Sequence, residues 1–144
     1  PAYYSSLGFA VPASIGVMAA RPDLRPLVLV GDGSFQMTGM EISIAAEQRM
    51  NPIVIVLNNR GFGTERPMLD GPFNDVAHWS YHRIPDILER GKGYRVRTET
   101  ELAEALSEAR ELKDLSIIEV LLDPSDISPQ LRRLCQRFAQ GVKR

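Results

Sequence analysis

The sequence predicts an α/β fold, a three-layer sandwich in which helices flank a central parallel sheet. Two short apolar runs rich in β-branched residues, at 27–30 and 53–57, are typical of buried parallel strands. Each run ends in a turn that contains Gly or Asn, and apolar residues recur at helical spacing between the two runs. Strand, helix and strand occupy about thirty residues, the size of a right-handed βαβ unit.

The remaining elements follow in order along the chain. Small apolar residues over 8–20 predict a buried first helix, and Thr38 is predicted to cap a helix that ends before Pro52. We then expect a loop over 60–72, a helical stretch near 74–90, a strand at 94–97, a helix over 99–112, a strand at 116–122 and a last helix after Ser128. This alternation predicts a parallel sheet covered on both faces.

Composition narrows the class of protein. A chain of 144 residues with 44% hydrophobic residues suits one domain over 1–144. The 17 basic and 18 acidic residues form no long block of one sign, so we expect neither a nucleic-acid nor a membrane partner. Cys135 is the only cysteine, which excludes an intramolecular disulfide and favours a cytoplasmic setting. Because the chain begins at Pro1, we expect a segment of a longer protein, truncated at its N-terminus.

Two polar turns carry the candidate chemistry. Gly-Asp-Gly-Ser at 31–34 and Asn-Asn-Arg-Gly at 58–61 follow successive strands, so both should face one crevice at the carboxyl edge of the sheet. Glycines and a helix N-terminus favour a phosphate beside the first turn. The Asp32 carboxylate would repel that phosphate unless a hard cation lay between them. Asp32 and the Asn59 amide oxygen are two ligands for Mg²⁺, and a main-chain oxygen after Asn59 is a candidate third.

These motifs resemble a known signature. Gly-Asp-Gly-Ser followed by Asn-Asn, with Asn59 standing 27 positions after Asp32, is similar to the metal signature of thiamine diphosphate enzymes. The resemblance implies the thiamine diphosphate-binding fold and Mg²⁺ held by Asp32, the Asn59 side chain and the Gly61 carbonyl. Leu7 would hold the cofactor in its bent shape. The cofactor contacts implied are Ser5, Ser6, Leu7, Gly31, Asp32, Gly33, Ser34, Asn59, Gly61, Phe62, Gly63 and Thr64.

One branch of this family matches further. Residues 58–65, Asn-Asn-Arg-Gly-Phe-Gly-Thr-Glu, resemble the branch that decarboxylates pyruvate, indolepyruvate and phenylpyruvate. This implies non-oxidative conversion of a 2-oxoacid to an aldehyde and CO₂, with Glu65 as the catalytic residue that moves protons. It also implies that the activating glutamate lies on a separate pyrimidine-binding domain or subunit, so this chain alone is expected to be inactive. The complete enzyme is expected to be a homodimer or homotetramer.

Several alternatives stay open. The chain could serve another thiamine diphosphate reaction, such as acetolactate synthase-like carboligation, or be a catalytically silent domain kept for assembly or ligand binding. It could also be one natural subunit of a split enzyme.

Other readings fit less well. A dinucleotide fingerprint would need a glycine where Gln36 stands, and a haloacid-dehalogenase-like phosphatase would need another Asp at 35–37. His78 and His82 are four residues apart, but no third zinc ligand is evident, so we interpret both as structural.

Overall fold

The computed structural model of this protein describes residue 4 and residues 6–142, except for the side chains of 136 and 138–142. Three short 3₁₀ helices lie at Gly39–Glu41, Pro72–Asn74 and Tyr81–Arg83. The helices and strands are α1 (Ala10–Ala20), β1 (Leu27–Gly31), α2 (Asp32–Thr38), α3 (Ile42–Glu47), β2 (Ile53–Asn58), α4 (Ile84–Ile87), β3 (Lys92–Val96), α5 (Glu99–Glu111), β4 (Ser116–Leu121) and α6 (Pro129–Val142).

The four strands form one parallel sheet in the order β1-β2-β4-β3. The central strands β2 and β4 are buried on both faces, whereas β1 and β3 alternate buried and more exposed residues, as expected at the edges. The register pairs Gly31 with Leu57. The turns after β1 and β2 therefore leave the sheet side by side.

Two apolar clusters cover the two faces of the sheet and make three layers. On one face, strand residues such as Val30, Val56 and Ile117 pack with residues of α1, α2, α3 and the segment from Tyr81 into α4. On the other face, Ile118 and Tyr94 pack with Ala105 and Ala109 of α5. The predicted fold class is confirmed. Within the described part of the chain, no helix is both long enough and apolar enough to cross a membrane.

Thr38 occupies the N-cap position of the 3₁₀ helix Gly39–Glu41, which leads into α3, but its side chain does not cap that helix as predicted. The helical segment begins at Asp32, directly at the end of β1, and runs through α2 and the 3₁₀ helix into α3. Thr38 makes no capping hydrogen bond, and its hydroxyl donates instead to the carbonyl of Gly8. The turn after β1 is thus itself the start of a helix.

The helical stretch predicted near 74–90 is also wrong over most of its length. Within it, only Asn74 at the end of the 3₁₀ helix Pro72–Asn74, the 3₁₀ helix Tyr81–Arg83 and the four residues of α4 are helical. Asn74 is buried and donates from Nδ2 to the Leu69 carbonyl at 2.8 Å, and Tyr81 is buried in the core. These tertiary contacts override the local helical pattern.

The first predicted strand is present but is not buried on both faces. Leu27 and Leu29 on β1 are 58% and 63% exposed, while Val28 and Val30 are buried. β1 is an edge strand, and the apolar cluster that α5 forms on this face contains residues of β2, β3 and β4 but, among the described residues, none of β1. The apolar run predicted burial on both faces of β1, but the described residues cover only the face that carries Val28 and Val30.

Candidate functional site

A cleft of about 550 Å³ opens at the carboxyl ends of β1 and β2. Its size is in the range of small-molecule sites. The predicted cofactor contacts that line this cleft are Ser6, Leu7, Gly31, Asp32, Gly33, Ser34, Asn59, Gly61, Phe62, Gly63 and Thr64. Ser5, the remaining predicted contact, lies outside the described residues.

Asp32 links the two turns. Its side chain is buried, with Oδ1 accepting a hydrogen bond from the Gly33 N–H at 2.8 Å and Oδ2 accepting one from the Gly61 N–H at 3.0 Å. Burial raises the pKa of the Asp32 carboxyl above its ordinary value, although main-chain donors from Gly33, Arg60 and Gly61 act against this. The site therefore holds a carboxylate whose negative charge is only partly compensated.

Asn59 and Gly61 bring two more oxygens to Asp32. The side-chain oxygen of Asn59 lies 3.3 Å from Oδ1 of Asp32 and 2.8 Å from the carbonyl oxygen of Gly61. Rotating the amide would put its nitrogen there and give two hydrogen bonds instead. With oxygen inward, the three atoms repel unless a cation lies among them. Neighbouring ligands of an octahedral Mg²⁺ at about 2.1 Å are about 3 Å apart, so this donor set fits that ion.

The turn that contains Gly61 is held in place by contacts with residues 66–75. The Phe62 N–H donates to the Asn74 carbonyl at 2.9 Å, and Gly61 and Asp75 form an isolated antiparallel bridge. The Arg66 guanidinium binds Asp75 at 2.7 Å and Asp70 at 3.0 Å. Sequence reasoning missed these supports, because Arg66 and Asn74 lie in a segment with no periodic signal.

The segment before α1 is fastened to α2. The Gly8 N–H donates to Oγ of Ser34 at 2.8 Å, while Thr38 donates to the Gly8 carbonyl. Gly8 has φ +83°, and a Cβ there would lie 2.7 Å from Oγ1 of Thr38, so only glycine suits this position. These contacts hold Leu7 at the cleft. The Ser34 hydroxyl accepts one bond and still has its own hydrogen to donate.

Glu65 is placed differently from the other predicted residues. It is solvent-exposed, it is not part of the cleft wall, and its carboxylate accepts a hydrogen bond from the Thr64 hydroxyl. The partly dry pocket expected around a proton-moving carboxyl is not formed by the described residues of this chain. Its catalytic role stays a prediction.

The opposite wall of the cleft was not predicted. It is formed by the start of α6 and the segment before it, including Ile127, Ser128 and Leu131. Cys135 of α6 approaches the Thr64 carbonyl with Sγ at 3.8 Å. The apolar residues Ile127 and Leu131 were visible signals, but nothing in the sequence indicated which surface they would contact.

A larger cavity of about 760 Å³ lies beyond the loop that follows β2, lined by residues that include Arg60, Arg66 and Arg132. None of the predicted site residues is part of its described wall. Arg66 there is already paired with Asp70 and Asp75. The smaller cleft is therefore the candidate site, because it contains Asp32 and the oxygens that face it.

The relatives of this chain include several named decarboxylases. Pyruvate decarboxylase 1 of Arabidopsis thaliana is 39% identical over 98% of this chain, which corresponds to 24% of that protein. An alpha-keto-acid decarboxylase of Mycolicibacterium paratuberculosis is 33% identical over 86% of the chain and 23% of that protein. The crystal structure of benzoylformate decarboxylase from Polynucleobacter necessarius matches with a TM-score of 0.75 at 24% identity, covering 88% of this chain and 25% of that one, which shows a shared fold.

The chain thus spans about a quarter of the length of the relatives it matches. A family model described as thiamine pyrophosphate enzyme, C-terminal TPP binding domain, matches residues 1–120. That match includes both polar turns and all twelve predicted cofactor contacts. The chain belongs to the family of C-terminal thiamine pyrophosphate-binding domains of thiamine pyrophosphate enzymes.

Proposed function

We propose that this chain binds the diphosphate end of thiamine diphosphate through Mg²⁺, within an enzyme that decarboxylates a 2-oxoacid to an aldehyde and CO₂. The observation that carries the proposal is the convergence of the Asp32 carboxylate, the Asn59 amide and the Gly61 carbonyl in the cleft of a domain of this family. The names of the relatives, pyruvate decarboxylase and alpha-keto-acid decarboxylase, support the choice of reaction.

The cation would be held by the Asp32 carboxylate, the side-chain oxygen of Asn59 and the Gly61 carbonyl. Mg²⁺ commonly completes its shell with phosphate oxygens and water, so three protein ligands suffice. The positive charge would also offset the cost of burying the Asp32 carboxylate, which is 2% exposed. The metal thus accounts both for the convergence of the oxygens and for the buried charge.

The diphosphate would lie beside the first turn of the helical segment that starts at Asp32. Gly33 has no side chain, and a Cβ there would be 2.6 Å from the Phe62 ring, so the two turns approach closely. The hydroxyl of Ser34 retains a hydrogen for an anion. Backbone N–H groups at a helix start favour negative charge in the same place.

Bound thiamine diphosphate supplies the electron sink for the carbanion left by loss of CO₂. Leu7 would press on the cofactor from the cleft wall, since it lies there and is 51% exposed. Glu65 would move a proton to the product carbon once another domain or subunit covers it, because a general acid needs a partly dry environment. That partner would also carry the activating glutamate, in a homodimer or homotetramer. The cytoplasmic setting stays a prediction.

Calorimetry on the complete enzyme tests this function. Titration with thiamine diphosphate and Mg²⁺ should release heat for the wild type and none for Asp32→Ala. Asp23→Ala, which removes an exposed carboxylate paired with Arg21, is the matched control and should bind as the wild type does. Product analysis should then give an aldehyde from a 2-oxoacid. Acetohydroxyacid as the main product would favour a carboligase, and no heat from the wild type would favour a silent domain.

A further inference from the structure

We propose that the 3₁₀ helix Tyr81–Arg83 positions both turns of the metal site, through two consecutive residues. Tyr81 supports the turn at Asp32. His82 supports the turn at Asn58 and Asn59 by way of Glu119. The inference rests on the proposed function, since it assigns to these residues an effect on the affinity for Mg²⁺.

Tyr81 forms the first support. Its side chain is 1% exposed, and its hydroxyl donates to the main-chain carbonyl of Asp32 at 3.4 Å while accepting from Nε2 of Gln36 at 2.7 Å. Its ring meets Phe35 edge to face, with the centroids 5.4 Å apart. Burial raises the pKa of Tyr81 to about 12, so the hydroxyl keeps its proton at neutral pH. The first turn of α2 therefore rests on this side chain.

Glu119 forms the second support. It is the only charged residue of β4, and its side chain is 2% exposed at the centre of the sheet. Its Oε1 accepts from Nδ2 of Asn58 at 2.7 Å, and its Oε2 contacts Nδ1 of His82 and the His82 N–H. A buried carboxylate is tolerated only when it is well bonded, which ties Asn58 and His82 firmly to it. Asn58 directly precedes the predicted ligand Asn59.

The 3₁₀ helix is pressed against β3, which fixes its height above the sheet. A Cβ on Gly93 would lie 1.6 Å from the carbonyl oxygen of His82, a backbone atom that cannot move alone. Any side chain at 93 would therefore lift the helix, and with it both Tyr81 and His82. Gly93 is thus the position from which both supports can be disturbed together.

The side chains of Tyr81, His82 and Glu119 are not part of the described cleft wall. Tyr81 contacts the main chain of Asp32, Glu119 contacts the side chain of Asn58, and His82 acts through Glu119. All three are therefore positioning residues. Outer partners of metal ligands typically change metal affinity by about 10-fold to 100-fold when they are removed. We therefore expect a change in Mg²⁺ affinity rather than in the chemistry itself.

The test measures the Mg²⁺ dissociation constant of the complete enzyme at saturating thiamine diphosphate, by calorimetry. Glu119→Gln and Gly93→Ala should each weaken Mg²⁺ binding by about 10-fold or more. Tyr81→Phe, which removes the long hydrogen bond to the Asp32 carbonyl and the bond accepted from Gln36, should weaken it by about 3-fold. His82→Ala should behave like Glu119→Gln, and His82→Asn should recover part of the affinity because its amide can reach the position of Nδ1. At saturating Mg²⁺ the KM for the 2-oxoacid should be unchanged.

Two control variants separate positioning from general stability. Tyr94→Phe removes a buried hydroxyl on the opposite face of the sheet, and Asp114→Asn disturbs a partly buried carboxylate paired with Arg90. Asp114→Asn should lower the thermal midpoint, whereas Tyr94→Phe should leave it unchanged or raise it, because the buried Tyr94 hydroxyl has no hydrogen-bond partner among the described residues. Neither variant should change the Mg²⁺ dissociation constant. Should Glu119→Gln fail to fold, Tyr81→Phe and Gly93→Ala decide the question in its place.

The outcomes are distinct from those that test the function. A wild type that binds neither Mg²⁺ nor thiamine diphosphate overturns the proposed function, and this inference with it. A wild type that binds both, with Tyr81→Phe and Gly93→Ala of unchanged Mg²⁺ affinity and lower thermal midpoints, overturns the inference alone.

Discussion

At the scale of single residues, the site depends on which end of the Asn59 amide faces Asp32 and Gly61. Asp32 is buried with two hydrogen bonds from main-chain N–H groups, and the Asn59 amide can turn either its oxygen or its nitrogen toward it. With nitrogen inward the amide would neutralise the group by hydrogen bonding, and with oxygen inward it becomes a ligand. The same side chain can thus serve the metal-free and the metal-bound protein.

Gly61 is predicted to tolerate no side chain. A Cβ at this position would lie 2.2 Å from the Asn74 carbonyl oxygen and 2.5 Å from Nη2 of Arg66. Gly61→Ala should therefore shift the turn, cost about 1–3 kcal/mol of stability, and weaken Mg²⁺ binding. Isothermal titration and chemical unfolding of the complete enzyme measure the two effects.

Gly16→Ala on α1 is the control for that change, because a Cβ there meets nothing within 4 Å. It should leave Mg²⁺ binding unchanged and raise helix stability by up to about 1 kcal/mol. Wild-type Mg²⁺ affinity in a Gly61→Ala enzyme whose stability has fallen would contradict the dependence of the metal site on the position of this turn.

At the scale of elements, sequence patterns correctly predicted the strands and helices whose formation depends mainly on neighbouring residues. The apolar runs gave β2 and β4, and the helix expected over 99–112 is observed as Glu99–Glu111. That helix has a capping box, with the Thr98 side chain accepting from the Glu101 N–H at 3.2 Å. The region 74–90 was mispredicted because its shape depends on distant contacts. His82 and its partner Glu119, for example, are 37 positions apart.

The capping box predicts a pH-dependent stability of α5. Hydrogen bonds from the main-chain N–H groups of Arg97 and Thr98 lower the pKa of Glu101 below its ordinary value of 4.5. Its contribution is therefore fully present above that value and is lost as the pH falls through the lower, folded-state pKa. Hydrogen exchange of the α5 amides should show Glu101→Gln less protected than the wild type at pH 7, with the difference fading in acid.

Thr98→Ala should lose about 1 kcal/mol of α5 protection at either pH, because it removes the neutral half of the box. Glu104→Gln, an exposed change on the same helix, is the control and should change little. A Glu101→Gln difference that persists unchanged in acid would contradict the assignment to ionised Glu101.

At the scale of the whole molecule, the site could be predicted because a parallel sheet brings the ends of its strands together. Pairing of Gly31 with Leu57 sets Asp32 beside Asn59, and this followed from the order of strands and helices. The wall from α6, the Arg66 ion pairs and the support from Tyr81 and His82 required the folded chain. Each of these three features brings together segments that share no sequence pattern.

At the same scale, several exposed groups are ones that the proposed function would need covered. Leu27 and Leu29 are exposed on an edge strand, Glu65 is open to solvent, and the relatives are about four times longer. These are the surfaces where we expect other domains or subunits to pack. Covering Glu65 would give the dry environment that its proposed role requires.

The central claim is that Asp32, Asn59 and Gly61 share one divalent cation. Anomalous diffraction at the manganese edge, from crystals of the complete enzyme with thiamine diphosphate and Mn²⁺, tests it most directly. We predict a single peak about 2.2 Å from a carboxylate oxygen of Asp32, the side-chain oxygen of Asn59 and the carbonyl oxygen of Gly61. A bound cofactor whose metal is held by other residues, with the Asn59 nitrogen turned toward Asp32, would contradict it.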